Sequence, residues 1–496
     1  MVHTIKVTKV HHPVELTYDG EGLRIDGDFN AQKKAKPRYT CGCIPLPPTK
    51  LPDPTLLPID NVNILQVFFN EKTSMIQINA IVPQLPEDEQ SKVDLYKFMY
   101  TVDKGKEKEA VDFCKIVMDG AYKGIKAEKR LKVLVNPFGG QGKARTIFET
   151  QVQPIFEAAK CSIDYHYTEY QGHAIKVAKE LDIEKYDAIV TVSGDGVIHE
   201  VMNGFLQRSD ARQAIRKVPL GIIPGGTGNA LSICLLGEKR GFDPVYTAVQ
   251  VIKGRSLAMD LCSVTYDDHR YFSFLSQNYG ITSYADLATE DMRWMGDGRT
   301  IVGLLKEIFA KSSYGMEAYV DIVEDNKEKI QGQYESGHQS ASWLDLDDEQ
   351  LQEDGSIVDT IPPLNEPVPE SWTKIDDKIS MFLTSKTPLL ARGMLSHPYA
   401  LPNDGLLDLL LVRGHHSMFK QLDVFNNVEK GNHLNSKIVE YYKIKAFRFT
   451  PKPKPGQKAY FAVDGEHAPL KTVQVEVHPR LASVLSLNPT YIPSRL

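Results

Sequence analysis

Alternating apolar and polar positions dominate residues 1–100 and predict a β-rich region. Residues 14–18, the turn Asp19-Gly20 and residues 23–25 read as a hairpin, with further strands at 64–69 and 75–82. The spacing then changes: Val111, Cys114, Val117, Met118 and Ala121 recur at helical intervals and predict one amphipathic helix over 106–122. From Arg130, short apolar runs alternate with helical stretches. Residues 131–135, 163–168, 188–192 and 220–223 read as buried strands, and 145–160 as a helix. That helix carries Ile147, Phe148, Val152, Ile155, Phe156 and Ala159 on one face. Alternating β and α units predict an α/β fold, a parallel sheet with helices on both faces. After about residue 257 the helices thin out, and short strands predict an antiparallel β-sandwich in which 406–412 is a core strand. The expected organisation is a β-rich region over 1–125, an α/β domain over 128–258 and an antiparallel domain over 259–496. An acidic, proline-dotted stretch from about 324 to 374 has few branched residues and reads as a disordered insertion.

Composition narrows the function classes. At 496 residues the chain exceeds one ordinary core. A net charge of -6 argues against a general nucleic-acid binder, which needs a basic excess. The six cysteines form no zinc-type pair of pairs, and only Cys41 and Cys43 are close, as expected of a reduced, cytoplasmic chain. The opening MVHTIKVTKVHH lacks an apolar signal core, and no stretch approaches the ~20 apolar residues of a membrane span. A soluble or peripheral protein is expected.

Three glycine-rich turns follow three of the predicted strands. Asn136-Pro137-Phe138-Gly139-Gly140-Gln141-Gly142-Lys143 lies between a strand and a helix, where glycines let the backbone approach phosphate oxygens. It is not a P-loop: Pro137 replaces the earlier glycine, and Ala144 stands where a magnesium-binding hydroxyl belongs. The second turn, Ser193-Gly194-Asp195-Gly196, sets an acid between two glycines at a strand's carboxyl end. Phosphoryl transfer needs a carboxylate that accepts the acceptor's proton or holds a metal ion, and Asp195 suits either role. The third, Pro224-Gly225-Gly226-Thr227-Gly228-Asn229, again offers N–H groups and a hydroxyl at a helix start. Ligands bind parallel sheets at this edge, so three such loops together point to a phosphate-handling site.

The segments VNPFGGQGKA, TVSGDGVIHEVMNG and IIPGGTGNAL resemble the catalytic domain of diacylglycerol-kinase-type lipid kinases. SGDG followed by His199-Glu200-Val201 and Asn203-Gly204 is similar to sphingosine (long-chain-base) kinases in particular. The likeness runs from about 131 to 309 and resumes from about 399. It implies an ATP- and Mg²⁺-dependent enzyme with Asp195 as catalytic base. Ser193, Gly194 and Gly196 would then shape the site around the acceptor hydroxyl. Asn136, Pro137, Phe138, Thr168, Glu200, Gly226, Thr227 and Gly228 would line the ATP site. Arg293 and Arg299 match the family's phosphate-clamping arginines, and Asp464-Gly465-Glu466 the segment that closes the nucleotide site. Asp286 matches the carboxylate that recognises the lipid's polar head, and an ammonium group is its natural partner. Phe138 and Gln141 depart from the basic residues of many relatives. His199 reads as a structural hydrogen-bonder rather than a proton carrier.

The first 125 residues, several strands closed by one amphipathic helix, resemble a pleckstrin-homology-like module. Lys33, Lys34, Lys36 and Arg38 beside Cys41 and Cys43 suggest S-acylation, a two-signal attachment to a membrane surface. The leading expectation is a cytoplasmic, peripherally membrane-associated kinase for a sphingoid base, with a homodimer left open. Ceramide and diacylglycerol kinases are the nearest rivals, and a non-catalytic lipid-binding scaffold is the rival from another class.

Overall fold

The computed structural model describes residues 2–27, 58–83, 93–267, 269–287, 298–310, 312–341, 343, 357–414 and 416–492. Two compact units emerge. The first comprises Met1–Arg130, Phe148–Ile163 and Pro244–Gly254; the second comprises Leu131–Ile147, Asp164–Asp243 and Arg255–Leu496.

In the first unit, seven antiparallel strands follow one another in the chain: β1 (His3–Lys9), β2 (His12–Tyr18), β3 (Gly22–Asp26), β4 (Ile59–Asp60), β5 (Ile64–Asn70), β6 (Met75–Pro83) and β7 (Val93–Thr101). Their order in the sheet is β4-β3-β2-β1-β7-β6-β5. Helix α1 (Glu107–Ala121) buries Ala110, Phe113, Cys114, Val117 and Ala121. This is the expected plan of strands followed by one amphipathic helix.

The second unit is built on one sheet. Its parallel part has β8 (Arg130–Val135), β9 (Ser162–Tyr167), β10 (Ala188–Ser193) and β11 (Leu220–Pro224) in the order β9-β8-β10-β11. The antiparallel strands are β12 (Arg255–Tyr266), β13 (His269–Ser273), β14 (Ser276–Gly280), β15 (Tyr314–Glu324), β16 (Thr373–Ser385), β17 (Leu407–Arg413), β18 (Val439–Pro451), β19 (Phe461–Val463), β20 (Glu466–Ala468) and β21 (Val473–Ser486). They continue the same sheet rather than forming a detached one. β21 pairs with β11 in parallel at Val484 and Leu220, and with β12 and β18 in antiparallel. The 406–412 run is β17, and it is buried as expected.

Helices α2 (Ala144–Ile147), α3 (Gln153–Ala158), α4 (His173–Lys179), α5 (Asp195–Leu206), α6 (Ala211–Lys217), α7 (Ala230–Arg240), α8 (Pro244–Lys253), α9 (Ile281–Leu287), α10 (Gly298–Phe309), α11 (Lys327–Gln339) and α12 (Met418–Asn426) complete the described α-helices. The single helix expected over 145–160 is divided, with a π turn at Phe148–Val152 before α3. Pro154 is the cause: it has no N–H for a helical bond, so the ladder breaks ahead of it.

The expectation of a disordered insertion over 324–374 is corrected for residues 324–341 and 357–374, while 342 and 344–356 lie outside the described residues. Asn326 caps α11 by accepting the Lys329 N–H at 2.9 Å, and Ile330 and Tyr334, one turn apart, are buried. Residues 357–366 are then held against β12, β13, β18 and β21 by side chains. Arg270 donates to the Ile357 carbonyl and to Asp359, and Ser263 donates to Asp359 at 2.8 Å. The Thr360 N–H reaches Glu476 Oε2 at 2.9 Å. Arg448 donates to the carbonyls of Pro362, Pro363 and Glu366 at 3.1, 2.9 and 2.6 Å. These specific polar contacts replace the branched residues whose scarcity suggested disorder.

A buried ionic chain fixes the antiparallel part. A bulge between Met259 and Leu261 in β12 contains Asp260, which accepts from Lys386 at 2.8 Å. Lys386 also holds Asp404 at 3.0 Å; Lys443 holds Asp404 at 2.9 Å and Asp408 at 2.8 Å; Tyr441 donates to Asp408 at 2.6 Å.

Candidate active site

The three glycine-rich turns leave β8, β10 and β11 at their carboxyl ends and meet in the second unit. The meeting is between backbones. Gly225 N–H donates to the Ser193 carbonyl at 2.8 Å, and Asp195 N–H to the Gly228 carbonyl at 3.1 Å. A Cβ on Gly226 would lie 2.5 Å from Gly194 Cα, and one on Gly194 would lie 2.8 Å from the Gly228 oxygen. Only glycines allow the second and third turns to touch in this way.

Asp195 opens α5 and is 8% exposed. Its Oδ2 accepts the Ala230 N–H at 2.8 Å and its Oδ1 the Leu231 N–H at 3.4 Å. The acid on one helix start is therefore held by the free N–H groups of another, α7. Burial pushes its carboxyl up against those two bonds, and the charge of Asp464 adds to the rise, to about 6. That value suits a group that accepts a proton near neutral pH.

The first turn is anchored by Asn136, whose N–H donates to the Val192 carbonyl at 3.1 Å and whose Oδ1 accepts the Phe138 N–H at 3.0 Å. Phe138, after Pro137, is 75% exposed. Thr168 at the end of β9 is buried, with its N–H on the Val135 carbonyl at 2.9 Å. Thr227 and Gly228 are exposed on the third turn, at the start of α7. Gly196 is exposed as well, and a Cβ there would lie 3.9 Å from Glu466 Oε1, so the Glu466 carboxylate overhangs the start of α5.

Two of the expected nucleotide-site acids are already engaged. Glu200 accepts the Gly172 N–H at 3.0 Å and the Ala174 N–H at 3.1 Å, capping α4. Asp464 forms with Gly465 the left-handed turn between β19 and β20, with φ of 51° and 82°. Its carboxylate, 1% exposed, accepts from Ser273 Oγ at 2.6 Å and from the N–H groups of Phe274, Leu275 and Ser276 at 3.2, 3.0 and 3.0 Å. His199 Nδ1 joins it at 2.8 Å, as expected of a structural hydrogen-bonder. Burial lowers the imidazole, but the bond to Asp464 and the nearby carboxylates outweigh it and raise it above its ordinary value.

The remaining predicted residues are placed only by their elements. Asp286 lies in α9, which follows β14 directly, and Arg299 lies in α10. Arg293 lies outside the described residues, as do Cys41, Cys43 and the basic residues beside them. Sequence reasoning missed Ser273 as an Asp464 partner. It also missed the reciprocal pair in which Asn203 Oδ1 accepts the Phe272 N–H and Nδ2 donates to its carbonyl, both at 2.8 Å. The signal for the latter was on the page: a buried asparagine inside an apolar helix needs a fixed partner.

Residues 130–264 match the diacylglycerol kinase catalytic domain, and residues 378–486 match the YegS C-terminal NAD kinase beta sandwich-like domain. The chain is 35% identical over 377 residues to sphingoid long chain base kinase 4 of Schizosaccharomyces pombe, covering 75% of this chain and 78% of that one. It is 33% identical to sphingosine kinase 1 of Homo sapiens, covering 71% of this chain and 89% of that protein. It is 32% identical to sphingosine kinase 1 of Arabidopsis thaliana, covering 68% of each. Joined to a buried acid held between phosphate-type loops, these likenesses make the chain a member of the sphingosine (sphingoid long-chain-base) kinase family, within the diacylglycerol-kinase-type lipid kinases.

Proposed function

We propose that this protein transfers the γ-phosphate of ATP to the primary hydroxyl of a sphingoid base, giving the 1-phosphate. The observation that carries the reading is Asp195, a buried carboxylate with a raised proton affinity at the meeting point of the glycine turns. As the acceptor oxygen attacks phosphorus, its proton passes to Asp195. The backbone N–H groups of the exposed residues Thr227 and Gly228 hold phosphate oxygens, which aligns the group in transfer. Mg²⁺ fits this site through the Glu466 carboxylate beside Gly196, a hard oxygen donor of the type it prefers, and when bound it would neutralise phosphate charge. Asp286 at α9 is the partner for the ammonium group of the base. Diacylglycerol has no amine, and the amide of ceramide is uncharged, so this carboxylate discriminates.

Membrane contact belongs to the same reading, because the substrate resides in a bilayer. Among the described residues no helix is long and apolar enough to cross a membrane, while Phe309 at the end of α10 and Phe419 are exposed. Peripheral attachment from the cytoplasm is part of this proposal, with the two exposed phenylalanines as candidate contacts. The deciding experiment is a substrate panel with purified protein and Mg-ATP. Sphingosine or dihydrosphingosine should be phosphorylated far better than ceramide or diacylglycerol; the reverse order overturns the reading.

A further inference from the structure

Helix α5 carries Asp195 on its first turn and His199 one turn later, a spacing that sets both on one face. His199 Nδ1 lies 2.8 Å from Asp464 Oδ2. A carboxylate only accepts, so the imidazole carries its proton on Nδ1. Asp464 in turn gathers residues 273–276, the link between β13 and β14, through Ser273 Oγ and three consecutive N–H groups. Its own N–H returns to the Ser276 carbonyl at 2.8 Å. β14 begins at Ser276 and runs into α9, the helix that carries Asp286. One hydrogen bond therefore joins the helix of the base to the segment that leads to the lipid-head carboxylate.

Asp464 does not depend on His199 alone for its solvation. Ser273, Leu275 and Ser276 donate to its Oδ1 and Phe274 to its Oδ2 at 3.2 Å, and His199 completes the shell at Oδ2. Nor is His199 a packing residue first, since its side chain remains 20% exposed. Among the described residues, another polar tie from α5 to this part of the unit, Asn203 with Phe272, sits about two turns from Asp195, one turn beyond His199. The bond from His199 is the tie nearest the reacting end.

We propose that His199 is a positioning residue, whose Nδ1–H bond to Asp464 sets the register between Asp195 and the lipid-presenting segment that leads from β14 into α9. It rests on the sphingoid-base reading for the identity of the acceptor, but not for the existence of the tie. Misplacing reacting groups by about 1 Å costs roughly 100-fold in rate, so loss of the tie acts on turnover.

The test uses the full chain with Mg-ATP and sphingosine, comparing His199→Ala, His199→Asn and His199→Gln. The Asn amide N–H can take the place of Nδ1–H, whereas the Gln amide reaches to the Nε2 position. Expected are a fall in kcat of roughly 10- to 100-fold for Ala with KM for ATP nearly unchanged, recovery of most of it by Asn but not by Gln, and an unaltered melting temperature. Wild-type kcat in the Ala variant overturns the proposal. Equal losses in all three variants that follow a fall in melting temperature overturn it too, because they mark a merely structural role. If the wild-type protein phosphorylates another lipid instead, the substrate reading fails, and the same series on that lipid still decides the role of His199.

Discussion

Asp195 accepts the N–H of Ala230 at 2.8 Å, so the acid that begins α5 is clamped by the first residue of α7. Each glycine turn thus ends in a helix whose open N–H groups have a use, one of them for an anion of the protein itself. The carboxylate is held in place, yet burial keeps its proton affinity high, and this combination sets its pH behaviour.

Asp195→Asn is expected to lower kcat by roughly 1,000-fold or more, measured as sphingoid 1-phosphate formed per minute. In the wild type, kcat/KM should rise with pH through about 6 as the carboxyl loses its proton. Stability runs the other way. The folded value lies above the ordinary 3.8, so the contribution of the protonated acid is fully present below about 4 and is lost as pH rises through about 6. At pH 7.5 the Asn variant should therefore melt no lower than wild type, with a gain of up to about 3 kcal/mol.

Gly226→Ala should abolish ATP binding, because its Cβ would stand 2.5 Å from Gly194 Cα and backbone would have to move. Gly332→Ala is the control: on α11, with nothing within 4 Å of the new Cβ, it should be neutral or stabilise by about 0.5–1 kcal/mol. Nucleotide titration and thermal melts separate the two.

Lys443→Met should destabilise the second unit by about 3–5 kcal/mol in urea unfolding, because Asp404 and Asp408 keep their charge burden and lose a partner. Burial alone would raise Asp404, but Lys386 and Lys443 draw it down to about 2. Its stabilisation is accordingly present above about 4 and disappears as pH falls through about 2.

Arg448→Ala should loosen residues 357–366, whose carbonyls at Pro362, Pro363 and Glu366 lose the charged donor, although Gln474 still donates to Pro362 at 3.0 Å. Bonds from a charged donor contribute about 1.5–3 kcal/mol, so limited proteolysis in this stretch should quicken roughly 10- to 100-fold. Unchanged cleavage would mean that the Thr360 and Arg270 contacts hold the stretch without it.

The alternation of strands and helices was legible because each element carries its own periodicity, and residues 188–193 with their following helix are the plainest case. The glycine turns stood out in the sequence, but not the reason for Gly194 and Gly226, which is that they touch each other across thirty residues of chain. Asp464 looked like one more nucleotide-site acid because its partners, Ser273 to Ser276, lie almost two hundred positions away. Helix α11 was hidden by its polarity, since only Ile330 and Tyr334 are buried on it; the cap at Asn326 ahead of that i, i+4 pair was the signal to use.

Strand β21 has a consequence for how this molecule comes into being. β11, which emerges early in synthesis, has β21 as its neighbour at Leu220 and Val484, and β12 and β18 depend on the same late strand. At ~5–20 residues per second, the ribosome delivers that neighbour only after a wait of ten seconds or more. Until then the nucleotide-binding sheet has an open edge of unpaired N–H and C=O groups, a template for wrong pairing. Closure of that edge is thereby tied to translation through residue 486, the last residue of β21.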